Sequence, residues 1–162
     1  MSGLRLATLA LVVGLLVAGC GLIGAGTSNT PLAHVRALPE ASLVPAGSVV
    51  IGTFAQDAHE TVDGLQPAVY TRVYGTQEPA RAVETFYAAD ALPRAGWIPE
   101  RYSIQPDIAS WSASWTKGPF EMSVSILRRG ADPYLPWASM EARYPTIFEV
   151  VLSAGAGASF PP

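Results

Sequence analysis

The sequence contains few of the residues that would cross-link a domain or give it a strong charge. Cys20 is the only cysteine among 162 residues, so an intrachain disulfide is excluded and packing alone must stabilise the fold. Charged residues make up 14% of the chain, against about a quarter in a typical soluble domain. The net charge is -3, and the ten basic residues form no basic stripe. Because nucleic-acid binding needs such a stripe to neutralise phosphates, we predict no nucleic-acid partner.

The chain also lacks the motifs of common enzymes. It has only two histidines, and it contains neither a Gly-x-Ser-x-Gly nucleophile motif nor a phosphate-binding glycine loop. The densest group of potential metal ligands is Asp57, His59, Glu60 and Asp63. Their spacing matches no defined metal site and favours a solvated acidic loop. We therefore predict a non-enzymatic protein with no catalytic residue, metal or cofactor, although folding could still bring two carboxylates together.

The N-terminus has the three parts of a secretion signal. Residues 1–5 form a short, positively charged segment, and residues 6–17 form an apolar one. The small residues Ala18 and Gly19 then precede Cys20. An uncleaved signal anchor is the alternative, because the apolar stretch of residues 6–23 reaches the roughly 18 residues that a membrane-spanning helix needs.

Residues 16–20, Leu-Val-Ala-Gly-Cys, resemble the lipobox of bacterial lipoproteins. The resemblance implies that a signal peptide, residues 1–19, is cleaved between Gly19 and Cys20, and that the Cys20 thiol carries a diacylglycerol. Two or more acyl chains hold a protein firmly on a bilayer, whereas one chain binds only marginally. The mature protein would then be extracytoplasmic, with the cell membrane, or the outer membrane of an organism that has one, as its partner through the N-terminal lipid.

The mature chain divides into a tether, a domain and a tail. Residues 20–41 begin with the lipidated cysteine. They are rich in residues that interrupt helices and strands and show neither helical nor strand periodicity, which predicts a flexible tether. Residues 42–153 predict one globular domain, and the small residues of 154–162 predict a disordered tail.

Alternation of apolar and polar residues predicts an antiparallel sheet. The strongest signal is a hairpin of residues 110–116 and 120–126 around Lys117-Gly118-Pro119, with one apolar face and one face that is nearly all serine. Further strands are predicted over residues 48–54, 69–74, 98–104 and 146–152. A helix is predicted to begin at Thr76 and to end near Leu92. The expected fold is α+β, a single antiparallel sheet of about five strands with one main helix packed on its apolar face.

Part of this helix resembles a known segment. Phe86-Tyr87, Leu92 and Gly96-Trp97 are similar to a helix of small exported bacterial α+β domains, many of them uncharacterised, in which that helix packs on a sheet. The resemblance covers about a tenth of the chain, and it implies a fold and no activity.

Two groups of aromatic residues are candidates for partner or ligand contact. Trp111 and Trp115 lie on a predicted strand, where they form either a binding platform or part of the core. Tyr134, Trp137 and Tyr144 lie in a loop over residues 129–144, which is long for a compact domain and either contacts a partner or folds back to cap a sheet edge.

The predicted function is that of a membrane-tethered interaction or accessory module of the cell envelope, with another envelope protein or a cell-wall component as its partner. The alternative is a lipoprotein that binds a small ligand or a glycan through either aromatic group.

The lipobox is tested by labelling growing cells with a tagged palmitate. We expect label on the wild-type protein and none on Cys20→Ser, because diacylglycerol is attached to that thiol alone. Cys20→Ser combined with Ser28→Cys is the matched control, since it restores a cysteine outside the lipobox and should stay unlabelled. An unlabelled wild-type protein with its full N-terminus would favour the signal anchor instead.

Overall fold

The computed structural model describes residues 30–88, 92, 95–100, 109–130, 137–155 and 158. Their helices are α1 (Pro31–Arg36), a 3₁₀ helix (Pro39–Ser42), α2 (Ala80–Ala88) and α3 (Trp137–Arg143). Their strands are β1 (Val49–Gln56), β2 (His59–Thr61), β3 (Gly64–Gln66), β4 (Ala68–Thr76), β5 (Ile98–Glu100), β6 (Ala109–Lys117), β7 (Phe120–Leu127) and β8 (Thr146–Ala154). The predicted signal peptide, its cleavage site and Cys20 lie outside the described residues.

The described chain is mostly sheet. Six antiparallel strands lie in the order β1-β4-β8-β7-β6-β5, and β2 and β3 form a separate two-stranded sheet. The predicted α+β fold, with a single sheet of about five strands and one main helix, is therefore wrong. The predicted hairpin of residues 110–126 is present as β6 and β7, with Gly118 at a φ of +59° in its turn.

The helix is shorter than predicted because its first residues belong to the sheet. Thr76 is the last residue of β4, and its hydroxyl accepts a hydrogen bond from the Glu78 amide over 3.1 Å. Helix α2 then begins at Ala80, immediately after Pro79, and has nine residues. The predicted end near Leu92 stays a prediction, because residues 89–91 and 93–94 lie outside the described residues. Gly96, which follows them, has a φ of +82°, a conformation that suits a residue without a side chain.

The segment between the first two predicted strands, which includes the predicted acidic loop, contains the β2–β3 hairpin. Its turn has Asp63 followed by Gly64, which adopts a φ of +110°. The Thr61 hydroxyl donates to the Gly64 carbonyl over 3.0 Å, so a side chain helps to close the turn.

One face of the six-stranded sheet carries the core. Strand β8 lies at the centre of it, between β4 and β7, and its residues Phe148, Val150 and Leu152 are buried to 1% exposure or less. The rings of Phe148 and Tyr74, which are cross-strand partners, stack with centroids 5.3 Å apart. We call this side of the sheet the core face.

The core face is covered by the N-terminal segment as well as by α2. Val35 of α1 and Val83 of α2 are fully buried. The Tyr74 hydroxyl donates to the Ala41 carbonyl over 2.6 Å and the Tyr87 hydroxyl to the Leu43 carbonyl over 3.0 Å. Residues 31–41, which the sequence assigns to the flexible tether, are therefore part of the folded domain. Any tether ends before Thr30, whose hydroxyl caps α1 by accepting from the Ala33 amide.

A buried carboxylate joins this N-terminal segment to the sheet. Glu40 is 3% exposed, and its Oε1 lies 3.2 Å from Nζ of Lys117, which in turn sits over the Trp97 ring. Burial raises the pKa of Glu40, but the neighbouring Trp97 indole, the Glu40 backbone amide and the Lys117 ammonium outweigh it, so the net pKa is lowered. Among the described residues, neither Glu40 Oε2 nor Trp97 Nε1 has a hydrogen-bond partner, so the indole acts on the carboxylate as a nearby dipole.

This arrangement predicts an unequal effect of removing the two partners. Lys117→Met should lower the free energy of unfolding by about 1–3 kcal/mol at pH 7, because it leaves a buried carboxylate unpaired. Glu40→Gln should cost less, since the Lys117 side chain is 39% exposed and can be hydrated. Urea unfolding followed by tryptophan fluorescence measures both.

The same pair predicts a pH dependence. Because the folded-state pKa of Glu40 is lowered, its ionised form stabilises the fold at neutral pH, and this contribution is lost as the pH falls below the ordinary glutamate value of about 4.3. The difference in stability between wild type and Lys117→Met should therefore shrink towards pH 3. An undiminished difference at that pH would show that the lysine stabilises the fold by packing alone.

Candidate functional site

The other side of the sheet, which we call the open face, is polar. Strand register places Glu100, Ser114, Ser123, Val151, Thr71 and Phe54 in one row across β5, β6, β7, β8, β4 and β1. The adjacent row consists of Ile98, Thr116, Glu121, Ser153, Val69 and Gln56. Hydroxyl and carboxylate groups dominate the part of these rows that lies on β5, β6 and β7.

A groove of about 290 Å³ lies on this face, across the β5 end of the sheet and the start of β4. Its polar side chains are those of Glu100, Ser114, Glu121, Ser123 and Ser153. Its apolar lining includes Pro67, Val69 and Val151. This volume is at the lower end of the range for small-molecule sites, and it suits one side chain or one ring of a larger partner.

The groove has a negative charge. Glu100 on β5 and Glu121 on β7 are exposed, with one strand between them, and they lie in adjacent rows of the sheet. Two strand spacings and one row place their Cα atoms about 12 Å apart. None of the described residues lining the groove is basic. Lys117 is on β6, the strand that contributes Ser114 to the groove, but its side chain reaches Glu40 on the core face.

Hydroxyl groups on the open face also bond to each other. Ser112 and Ser125 are cross-strand partners on β6 and β7, and the Ser112 hydroxyl donates to Oγ of Ser125 over 2.9 Å. Ser114 and Ser123, the next pair along, line the groove. The serines are thus arranged as a cross-strand ladder that leads into the groove.

Tyr144, the residue after helix α3, covers part of the opposite end of the open face. The Tyr144 ring packs on Gly75 of β4 so closely that a Cβ at position 75 would lie 2.5 Å from the ring carbon Cγ. The Arg143 guanidinium sits 5.5 Å from the centre of the same ring, and the Arg143 carbonyl accepts from Gln77 Nε2. Tyr144 therefore packs on β4, inside the sheet, and the capping of a sheet edge by residues 129–144 stays a prediction.

The other aromatic candidates do not come together in one surface site within the described residues. Trp115 is 5% exposed on the core face, with its ring 6.2 Å from that of Tyr87, and Trp111 is half-buried against the same core. Neither ring belongs to the open face, so they do not form a surface platform together. Trp137 is the first residue of α3, and Tyr134 lies outside the described residues.

The acidic loop beside β1 is bonded to its own chain. Asp57 Oδ1 accepts from the amides of Ala58 and Leu32, and His59 Nδ1 lies 3.2 Å from Gln56 Nε2. Within the described ranges, no three histidine, cysteine or acidic side chains converge on a point where they could hold a metal ion. In those ranges there is also no helix whose length and apolar character would let it cross a membrane.

The sequence did not identify Glu100 and Glu121 as neighbours in a site. Glu121 begins the serine-rich alternation of β7, which was a visible signal for a polar face. Glu100 joins it only because β5 pairs with β6, and that pairing depends on contacts between strands that no local pattern specifies.

Comparison with known proteins gives no assignment. No family model, no curated protein and no solved structure matches the chain.

The close packing of Tyr144 on Gly75 predicts a coupled pair of substitutions. Gly75→Ala should lower the free energy of unfolding by about 1–3 kcal/mol, because the added methyl group displaces the Tyr144 ring. In a Tyr144→Ala background the same change should cost much less, since the ring is absent. Urea unfolding of the four proteins gives the coupling energy, and strictly additive losses would place the Tyr144 ring elsewhere.

Proposed function

We propose that this protein is a lipid-anchored, extracytoplasmic binding module, without enzymatic activity, that holds a polar and positively charged segment of an envelope partner in the groove of its open face. The anchor is Cys20, as the lipobox resemblance implies. The observation that carries the binding proposal is the groove itself, where Glu100 and Glu121 lie on either side of serine hydroxyls and no described lining residue is basic.

The chemistry of the groove favours a cationic partner. Carboxylates attract ammonium and guanidinium groups, and electrostatic complementarity of this kind speeds encounter and selects partners. Ser114, Ser123 and Ser153 add groups that both donate and accept hydrogen bonds. Val69 and Val151 provide an apolar surface for the methylene groups of a long basic side chain, which typically packs its stem on such a surface.

Binding is favoured over catalysis because the described lining of the groove lacks a nucleophile activated by a base. The two histidines, His34 and His59, lie on α1 and β2 and are not among the residues that line the groove. Activation of a serine requires a base within hydrogen-bond reach. The glycan alternative has less support, since Trp111 and Trp115 pack against the core and no exposed aromatic ring is found in the described lining.

The location of the groove also suits a tethered protein. The described part of the domain begins at Thr30, next to α1, which packs on the core face. The ten residues from Cys20 to Thr30 reach at most about 36 Å when extended. The N-terminal layer thus lies on the side of the sheet opposite to the groove, so the anchor leaves the open face accessible to a partner.

The charge of the groove is tested with a labelled oligolysine peptide and an oligoglutamate of equal length. Fluorescence anisotropy at low salt should detect oligolysine only. Glu100→Gln with Glu121→Gln should raise its Kd about threefold to tenfold, because two exposed charge contacts of roughly 0.3–0.7 kcal/mol each are lost. The difference should decrease as added salt screens exposed charges.

The matched control is Glu78→Gln with Glu84→Gln, just before α2 and within it. This pair produces the same change in net charge outside the groove. If the control weakens oligolysine binding as much as the groove variant does, then net charge alone explains the binding and the groove is not the site.

A further inference from the structure

We propose that strand β1 pairs with β1 of a second copy of this chain, antiparallel and across a two-fold axis, so that two six-stranded sheets join edge to edge. This interface lies outside the groove and does not depend on what the groove binds. It uses an edge of the sheet whose residues are unusually apolar.

Most of the large apolar side chains that are exposed in the described ranges lie on β1 or in the hairpin that follows it. Val49, Val50 and Phe54 of β1 are 50%, 44% and 56% exposed. Val62 and Leu65, in the β2–β3 hairpin that follows β1, are 102% and 48% exposed. Of the large apolar residues that are exposed in the described ranges, only Ile98 lies elsewhere, on β5. An edge strand with exposed apolar side chains offers unpaired backbone groups for pairing with another strand.

The two edges of the sheet differ in how they are protected. Strand β5 has three residues and contains Pro99 and Glu100, both of which disfavour pairing with another strand. Strand β1 has eight residues with no charge and no proline, and its one hydrogen-bonded neighbour in the described sheet is β4. Its bulge between Val50 and Gly52 lies near its start, and the register from Gly52 to Gln56 is regular.

A second copy fits this edge better than an unrelated strand does. Val49 and Val50 lie at the start of β1, whereas the hairpin with Val62 and Leu65 follows its last residue. Antiparallel self-pairing brings the start of one β1 strand beside the end of the other. The valines at the start of β1 in one copy would therefore lie near the hairpin that follows β1 in the other copy. An isologous interface of this kind is the commonest arrangement in homodimers. No like charges meet, because residues 49–56 are uncharged.

The symmetry also agrees with the lipid anchor, and this point alone depends on the function proposed above. A two-fold axis perpendicular to the sheet keeps the core faces of both copies on the same side. Helix α1 packs on that face, and Leu32 N lies 3.4 Å from Asp57 Oδ1, directly after β1. The N-terminal segments of both copies would therefore lie on the same side of the joined sheet, and the lipid anchors of both copies could reach one membrane.

The contact is small compared with stable interfaces, which bury about 1,200–2,000 Å². We therefore expect a dimer that depends on concentration, and we test it on membranes with the full chain. We place the two-fold axis beside Thr53, within the regular part of β1, so that Thr53 of one copy pairs with Thr53 of the other. Thr53→Cys then brings two thiols to the same face, with their Cα atoms within the roughly 4.4–6.8 Å that a disulfide allows. Mild oxidation should then give a band at twice the mass of the protein.

Two matched variants separate pairing from random collision. Ile98→Cys, on the exposed β5 edge, should give at least fivefold less dimer under the same conditions. Phe54→Lys added to Thr53→Cys should reduce the dimer by a similar factor, whereas Ile98→Lys added to Thr53→Cys should not. Reaction with a small maleimide verifies that the thiols introduced by Thr53→Cys and by Ile98→Cys are equally accessible, and the wild-type chain verifies that Cys20 forms no cross-link.

The outcomes are distinct. A dimer from Thr53→Cys that Phe54→Lys reduces supports the proposal. If the thiol introduced at position 53 reacts with maleimide but gives no dimer, the proposal is overturned, and equal cross-linking from Ile98→Cys overturns it too. A cross-link at a mass other than twice that of the chain also overturns it, because the edge would then pair with a different protein. Loss of oligolysine binding by the groove variants leaves these results unchanged, so the two proposals can fail separately.

Discussion

The structure depends on the pairing of β8 with β4 on one side and with β7 on the other. All nine residues of β8 have cross-strand partners on β4, and seven have partners on β7 as well. Its core-face residues Phe148, Val150 and Leu152 form the most deeply buried part of the sheet. Without β8 the sheet would separate into β1–β4 and β5–β6–β7, each with an uncovered apolar side. The last strand of the described chain is therefore the one that unites the domain.

The two sides of this sheet differ in burial because the described N-terminal segment and α2 cover only one of them. On the core face, the hydroxyls of Tyr74 and Tyr87 bond to the carbonyls of Ala41 and Leu43, which holds the N-terminal segment in place. Burial raises the pKa of Tyr87, so its hydroxyl stays protonated and remains a donor. Among the described residues, those that cover the open face lie at one end of it, around Tyr144. The described residues leave the remaining surface, with its serines and two glutamates, uncovered, and this is where we propose that a partner binds.

Local patterns predicted the parts of the fold that local contacts determine. The hairpin of β6 and β7 was predicted because both strands keep a period of two around a glycine-proline turn. The β2–β3 hairpin was missed, although the Asp63-Gly64 pair is a known turn signal. Helix α1 was missed because it has six residues among breakers, and the spacing of Leu32, Val35 and Leu38 was too short a pattern to stand out from the tether.

Long-range pairing could not be predicted in the same way. The order of strands places β8 between β4 and β7, and nothing in residues 146–154 specifies those neighbours in advance. The same limit applies to the candidate site. Glu100, Glu121 and Ser153 come together from three different strands, so none of them could be assigned a common role from spacing in the sequence. Trp115 was considered for a surface platform because alternation alone does not say which face of a sheet is covered.

The central position of β8 has a consequence for the order of events in folding. Its partners on β4 precede it by about 70–86 residues, and such contacts between distant residues form slowly because a long loop must close first. A chain that appears N-terminus first, during synthesis or export, therefore cannot complete its sheet until β8 is available. If the protein crosses a membrane as an extended polypeptide, as the predicted signal peptide would imply, this topology would delay folding until translocation of the domain is nearly finished. The topology that makes the domain slow to fold would thus also keep it competent for export.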